Sequence, residues 1–419
     1  MFEGSRETAG LLPFATTAPD PFFVTQTSPT DNREGFELRR LLTDERSRGI
    51  VIQAIVLLAV LMFIGVITAN TITNLEKAGL TTGFGFLADP AFFDINEPLI
   101  EYTSQSSFAR ALLVGLLNTV MVSILGIITA TIIGVAAGVL RLSKNWLISR
   151  LVTSYVEFTR NVPVLLQIIF WWALLTGLPK VRDSLSIADT AFLNNRGMRI
   201  PAPLTEPGFG WVTLAFLLGI VGAVLISRWA RKRQERTGQI FPAGWVSLAL
   251  VIGLPVLVFL ALGQPLDWEI PRRTRFNFQG GINITPELIA LWIALATYTG
   301  AFIAEIVRAG ILSVSRGQSE AAFALGLRPN LTMRKIILPQ ALRVIIPPLT
   351  SQYLNLTKNS SLAIVIGFQD LVSIGGSILN QSGHSLEIVA IWMAVYLSLS
   401  LATSAYMNWY NKRIALVER

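Results

Sequence analysis

The sequence predicts an all-α protein, a polytopic transmembrane helical bundle of about eight spans, and three observations carry that prediction. Hydrophobic residues make up 52% of the 419-residue chain and charged residues only 14%, where ordinary soluble domains carry about 25% charged residues. The mean hydropathy is +0.56. Apolar runs recur that are long enough to cross a bilayer as helices, which takes roughly 20 residues each. They lie near 50–70, 112–140, 151–176, 211–228, 243–263, 285–307, 343–368 and 386–410. They are much longer than a barrel strand of about ten residues and do not alternate as such strands do.

Orientation follows from the basic residues. With the N-terminus in the cytosol, the cytosolic segments hold 23 of the 34 Lys and Arg and the outer segments hold 9. Cytosolic loops of membrane proteins carry such an excess, so both termini are expected in the cytosol. The net charge of +8 is then a matter of membrane orientation, and no nucleic-acid partner is expected. With no cysteine and a single histidine, His384, thiolate chemistry and a multi-histidine metal site are excluded. His384 is read as an exposed interfacial residue, and no metal-binding or catalytic residues are expected. Residues 1–49 form an expected cytosolic N-terminal tail, without the basic start, apolar run and cleavage site of a signal peptide.

The most informative stretch is RGQSEAAFALGLRPNLTMRKIILP at 316–339, between the sixth and seventh spans. Residues 318–325 are good helix formers, and Gly326 stands where a left-handed cap would end that helix. Asn330 could cap a second short helix over 331–338. Pro339 would close it or start the next span. Two short helices at an angle on the cytosolic face suit a docking element, with Ala321 and Ala322 allowing close approach and Glu320, Arg328, Arg334 and Lys335 around them. Physics alone leaves an ordinary solvated loop equally open.

Ionisable groups within spans are expensive and tend to face a bundle interior or a water-filled path. Glu157 and Arg160 in the third span, and Glu305 and Arg308 in the sixth, are spaced to form structural ion pairs on one helix face. Gln352, Asn355 and Asn359 make a polar stripe at helical spacing in the seventh span. Lys358 stands beside it with no acidic partner in its own helix. Such a stripe could line a path for a zwitterionic or charged solute, and Pro347 and Pro348 loosen backbone pairing at its cytosolic end.

Glu320-Ala321-Ala322, then Gly326, Ile336, Leu338 and Pro339 match in spacing the EAA loop of ABC importer permeases, which the chain resembles. YVEFTRNVPVLLQ at 155–167, TYTGAFIAEIVRAGI at 297–311 and LPQALRVIIPPLTSQYLNLTKNSSLA at 338–363 resemble the polar amino-acid branch, the histidine/glutamine/general L-amino acid type. The longer permeases of alphaproteobacterial general L-amino acid transporters are the relatives it looks most like. The resemblance implies a type I ABC importer permease core in two parts, 112–178 and 285–413. Around it lie a first span and outer loop at 50–111, an insertion at 179–284 holding two extra spans, and a short tail at 414–419. It further implies ATPase coupling through Glu320, Ala321, Ala322, Gly326, Ile336, Leu338 and Pro339. The implied substrate path is lined by Tyr298, Thr299, Gln352, Asn355, Lys358 and Asn359. The implied function is import of polar L-amino acids (glutamate, glutamine, aspartate and asparagine, or a broad range) across a bacterial inner membrane by alternating access.

The implied partners are an ABC ATPase dimer, a second related permease and a periplasmic amino-acid-binding protein, within membrane lipid. ATP and Mg would be bound by the ATPase, because no G-x-x-x-x-G-K-[ST] phosphate loop occurs in the chain. Two departures from relatives stand out: Asn161-Val162-Pro163 where Gly-Thr-Pro is common, and Asn359 where an acidic residue often follows the lysine. A secondary transporter or channel is the competing reading. Against it, there is no repeated half, no acidic pair in a central span and no filter-like Gly-rich segment. A membrane enzyme has no nucleophile–base set to work with.

Overall fold

A computed structural model describes residues 45–77, 83–96, 98–274 and 277–414. Residues 1–44 and 415–419, which hold most of the two expected cytosolic tails, lie outside the described residues. The chain divides into two units, Met1–Ala78 and Gly79–Arg419.

The described part of the first unit is one helix, α1 (Glu45–Lys77). Its large apolar side chains, among them Leu58, Met62 and Phe63, are exposed along its length. A helix that is apolar all round belongs in lipid or in a large core. Thr68, Thr71 and Thr73 turn their hydroxyls back onto carbonyls four residues earlier, at 2.8, 2.8 and 2.9 Å, so these groups need no water.

The second unit contains α2 (Phe108–Leu140), α3 (Trp146–Asn161), α4 (Val164–Thr176), α5 (Phe209–Thr237), α6 (Ala243–Leu248) and α7 (Leu254–Ala261). They are followed by α8 (Pro286–Leu312), α9 (Arg316–Ala324), α10 (Pro329–Thr332), α11 (Leu338–Asn359), α12 (Leu371–Ser382) and α13 (Ser385–Ile414). Among the described residues six helices are long and apolar enough to cross a membrane, or eight spans if two bent helix pairs count as one each. The expected number of spans is therefore met, but two of them are not straight helices.

The expected span 151–176 is broken between α3 and α4 by a bend of 107°. Pro163 is the cause. It lacks an N–H, and its ring disfavours a helical residue before it, so Val162 is extended at φ −98°, ψ 127°. Gln167 Nε2 donates to the carbonyls of Thr159 and Val162, both at 2.9 Å, and so satisfies backbone groups that the bend sets free. The expected span 343–368 begins earlier and ends differently. It runs from Pro329 through a π turn at Met333–Ile337 into α11, and then through a 3-10 segment, Ser360–Ile366. The stretch 369–385, expected as an outer loop, holds α12, bent by 52° from what precedes it.

The expected insertion is largely a module of its own. α5 packs against α6 and α7, whose π turn at Ala249–Gly253 precedes Pro255. The flanking segments add short strands that the sequence did not predict: β1 (Leu185–Ile187), β2 (Ala191–Asn194), β3 (Gly197–Ile200), β4 (Ala202–Thr205), β5 (Leu266–Glu269), β6 (Arg272–Arg273), β7 (Phe278–Gln279) and β8 (Ile282–Ile284). The sheet order is β1-β2-β3-β8, with β4·β5 and β6·β7 as separate ribbons, all antiparallel. Strands of two to four residues carry no readable period, and their partners are far away in the sequence. β8 leads straight into α8, where the Thr285 hydroxyl caps Leu288 N at 3.3 Å and Pro286 occupies the first turn.

The core is built on α8. Leu291, Leu295, Ile303 and Val307 are buried with Val122 and Ala130 of α2, Ile168 of α4, and Ala341, Ile345 and Leu349 of α11. A second cluster joins Phe86, Ala91 and Ile95 of the outer segment to Phe108 and Leu112 of α2 and to Leu371, Ile374 and Ile378 of α12. His384, expected as exposed, is half-buried and stacks on Phe86 at 4.3 Å between ring centroids. The crossing of α2 on α8 is close enough to exclude side chains at two successive glycines. A Cβ on Gly134 would lie 2.5 Å from Ile303 Cβ, and one on Gly138 would lie 2.7 Å from the Ala304 carbonyl oxygen.

Gly138→Val is therefore expected to lower the yield and melting temperature of the detergent-solubilised protein, at an overpacking cost of about 1–3 kcal/mol or more. Gly376→Ala, where nothing lies within 4 Å of the added carbon, is expected to leave both unchanged. Equal melting temperatures for the two variants would remove the close crossing from the account of stability.

Candidate functional site

The segment expected to couple begins with α9, whose alanines are strong helix formers. It ends as expected at Gly326, in the left-handed region at φ +75°. Leu325 N donates to Ala321 O at 3.1 Å, Gly326 N to Phe323 O at 2.9 Å and Leu327 N to Ala322 O at 3.0 Å, which satisfies carbonyls at the helix end. Asn330 is not the cap of the next helix. Arg328 takes that position in extended conformation, with Pro329 in the first turn, because proline fixes its own φ and holds the preceding residue out of the helix. Nor does that helix stand apart. The π turn at Met333–Ile337 widens the backbone just before Pro339, which has no N–H to give to the preceding turn. α10 thus continues into α11 without a break in the helical backbone.

Glu320, Ala321, Gly326 and Leu338 are exposed, Ile336 and Pro339 are half-buried, and Ala322 is buried. Sequence reasoning did not single out Phe323, Leu325 and Leu331, which lie exposed on the same segment, Leu325 at 81%. Large apolar side chains in a charged connecting segment were the available signal, since a clustered apolar exposure of this kind marks an interaction surface.

The expected path residues divide. On α11, Asn355 and Lys358 are exposed, and Gln352 and Asn359 are half-buried. Tyr298 is half-buried, and its ring packs on Phe302 at 5.0 Å. Thr299 is buried at 3% exposure within α8 and lines no open face in this conformation. Among the described residues no hydrogen bond joins Tyr298 or Thr299 to the α11 group. The exposed face of α11 also carries Ser351, Pro347 and Pro348. With Val344 exposed as well, this face is apolar near the start of the helix and polar from Ser351 to Lys358.

The charged residues pair differently from the sequence expectation. Glu305 on α8 binds three arginines: Arg308 at 3.1 Å, Arg160 of α3 at 3.6 Å, and Arg141 at the end of α2 through a short hydrogen bond. Glu157 pairs with Arg141 at 3.5 Å and not with Arg160. The expected Glu305–Arg308 pair is present and the expected Glu157–Arg160 pair is not. The turn after α2 delivers Arg141 between the two carboxylates, and the Arg160 guanidinium lies over the Phe302 ring at 5.2 Å. Arg141, side chain 7% exposed, had been counted only as a loop cation.

At the other end of the bundle, Asp370 is buried and caps α12, accepting from Ser373 N at 2.8 Å. Asn118 Nδ2 donates to Gln369 O at 2.9 Å, and Leu371 N donates to Thr119 Oγ1 at 3.1 Å. The side chain of Gln369 reaches the outer segment, donating to Asp94 O and accepting from Asn96 N at 3.0 and 2.7 Å. These residues fix the bend that the sequence reading placed in a loop. Asp before an apolar run was a legible cap signal.

Comparison with known proteins extends this picture. Residues 130–416 match the family described as binding-protein-dependent transport system inner membrane component. The general L-amino acid transport system permease protein AapQ of Rhizobium johnstonii is 51% identical over 386 residues, covering 92% of this chain and 96% of that one. The glutamate/glutamine/aspartate/asparagine transport system permease protein BztB of Rhodobacter capsulatus is 44% identical over 421 residues, covering 92% and 98%.

Replacing Glu305 by Gln leaves three arginines without their shared carboxylate. The expected loss of stability is about 2–3 kcal/mol, below the ~3–5 kcal/mol of a fully buried pair because the Glu305 side chain is 29% exposed. Arg141→Ala is expected to destabilise as well, and the double variant by less than the sum. Denaturation of the three variants beside the parent checks this; strict additivity would mean that the two residues do not interact.

Proposed function

The chain belongs to the family of inner-membrane components of binding-protein-dependent transport systems, and from that premise we propose that it is the permease subunit of an ATP-driven importer of polar L-amino acids. The observation that carries the reading is the continuity of α10 with α11. At its first end it follows directly on α9, whose last turn and cap present the docking surface around Glu320, Phe323, Leu325 and Gly326. The other end carries Gln352, Asn355, Lys358 and Asn359. A separate ATPase that grips the first end shifts the second and so alternates access to the path.

The ATPase, a dimer, binds ATP and Mg; this chain supplies the coupling contacts and no catalytic group. The polar part of the exposed face of α11, from Ser351 to Lys358, would be costly against hydrocarbon, which supports a second, related permease with the path between the two chains. The Lys358 ammonium suits the α-carboxylate or side-chain carboxylate of an amino acid, and the amides beside it suit its ammonium and amide groups. The similarity to AapQ and BztB supports glutamate, glutamine, aspartate, asparagine or a broad range as substrates. A periplasmic binding protein delivers them, and the charge bias of the loops supports both termini in the cytosol.

Coupling is tested in proteoliposomes holding the chain with its permease and ATPase partners and loaded binding protein. Glu320→Lys, Leu325→Asp and Gly326→Asp are each expected to cut ligand-stimulated ATP hydrolysis tenfold or more while the complex's membrane subunits still assemble. Unchanged stimulation, or solute movement with no ATPase present, would overturn the reading in favour of a secondary transporter.

Lys358→Met separates path from coupling. Uptake of glutamate or aspartate is expected to fall about tenfold, the equivalent of ~1.4 kcal/mol, with stimulated ATP hydrolysis within twofold of the parent. Parallel loss of both activities would place Lys358 in the coupling machinery instead.

A further inference from the structure

The inserted helices carry a second polar feature that the transport reading does not use. α5 is apolar from Phe209 to Ile226 and then turns basic at Arg228, Arg231, Lys232, Arg233 and Arg236, with Glu235 the only acid. One of these cations is structurally engaged: Arg233 lies over the Trp229 ring at 5.3 Å and donates to Gln239 Oε1 at 2.9 Å. Arg228 and Arg231 are exposed, one turn apart, and hold no hydrogen bond or ion pair among the described residues. Both line a cavity of about 370 Å³ between α5 and the π-turned helix opposite.

The walls of this cavity are of two kinds. Ser227 and Ser247 face each other across the helix pair with their hydroxyls 3.4 Å apart. Above them Ile220, Val224 and Val251 form an apolar channel running into the span. The two helices lie close there because Gly219 abuts the backbone at Leu250. Two guanidinium groups offer the charged donors that a phosphate monoanion needs, and the serine hydroxyls, which bond each other while Ser247 Oγ donates to the Ala223 carbonyl at 3.4 Å, can rotate toward a bound oxygen. An apolar channel leading away from them suits an acyl chain. Orientation by positive charge accounts for a surplus of cations at this level of the membrane. It does not account for a pair of serines and an apolar channel beside two of them.

We propose that this cleft is a binding site for the phosphate headgroup of an anionic phospholipid, with one acyl chain lying along Ile220, Val224 and Val251. The site belongs to the insertion and not to the transport core, and it stands on the membrane-spanning character of α5 alone. Basic pockets between membrane helices take lipid headgroups through this combination of charge and apolar wall.

The test uses the purified full-length chain in its complex, titrated with phosphatidylglycerol, with phosphatidylcholine and with inorganic phosphate, and read by native mass spectrometry and by thermal midpoint. The parent is expected to retain phosphatidylglycerol about tenfold more tightly than phosphatidylcholine. Arg228→Gln/Arg231→Gln should bring that preference below twofold, and Ser247→Ala should weaken it severalfold. Lys232→Gln/Arg236→Gln removes the same charge from the same helix outside the cleft and should leave the preference intact. Should the double variant fail to purify, Arg231→Gln alone serves, with an intermediate loss expected. An unchanged preference in the cleft variants overturns the proposal, as does an equal loss in the Lys232/Arg236 control. Displacement of the lipid by millimolar inorganic phosphate would mean a site for the free anion, and the lipid assignment would be withdrawn.

Discussion

The close crossing of α2 on α8 is the contact on which the remaining structure depends. Between helices in lipid there is little hydrophobic drive, so association rests on packing density and on polar contacts, and small residues at the crossing make the density possible. Gly134 and Gly138 on α2 meet Gly300, Ile303 and Ala304 of α8 at a distance that no side chain could share. With α2 fixed there, α8 becomes the strut against which α3, α4 and α11 also lie. The same crossing carries the end of α2 past the last turns of α8. That brings Arg141 to Glu305 and gathers the arginines around one carboxylate.

Three departures from regular helix then shape the site. The bend at Val162–Pro163 splits one span and leaves carbonyls that Gln167 satisfies. The π turn before Pro339 keeps α10 and α11 one element although a proline stands between them. The bend after Ile366 is held by Asp370, Thr119 and Asn118. Backbone freed within a membrane is tolerated only where protein groups or a water-filled cavity meet it. The first and third of these breaks have side-chain partners. The second costs little because the wider turn absorbs the missing donor.

Much of this was legible in the sequence because it depends on local chemistry. Eight apolar runs of spanning length, the glycine at Gly326 and the prolines at Pro163 and Pro339 each act on their own few residues. The segment at 316–339 could be located for the same reason, although the sequence left open whether Pro339 closes its second helix or starts the next span. Arg328 and Pro329 begin that helix instead of Asn330, since the constraint proline places on its neighbour outweighs the capping preference of asparagine. The strands of the insertion were not legible. β3 pairs with β8 across two membrane helices, and nothing within either short segment announces the other.

The sequence by itself determined a membrane-embedded helical protein of the transport family and singled out the segment at 316–339 proposed to meet a partner. Hydropathy, charge and turn chemistry are properties of contiguous residues, and contiguous residues are what a sequence displays. Only the tertiary structure decided that Glu157 turns to Arg141 and not to Arg160, that Thr299 is buried while Asn355 and Lys358 are exposed, and that Leu325 stands out from the surface. Those outcomes are set by which helices cross, at what distance and in what rotation. A helix offers several faces with suitable residues, and only packing against its neighbours selects among them.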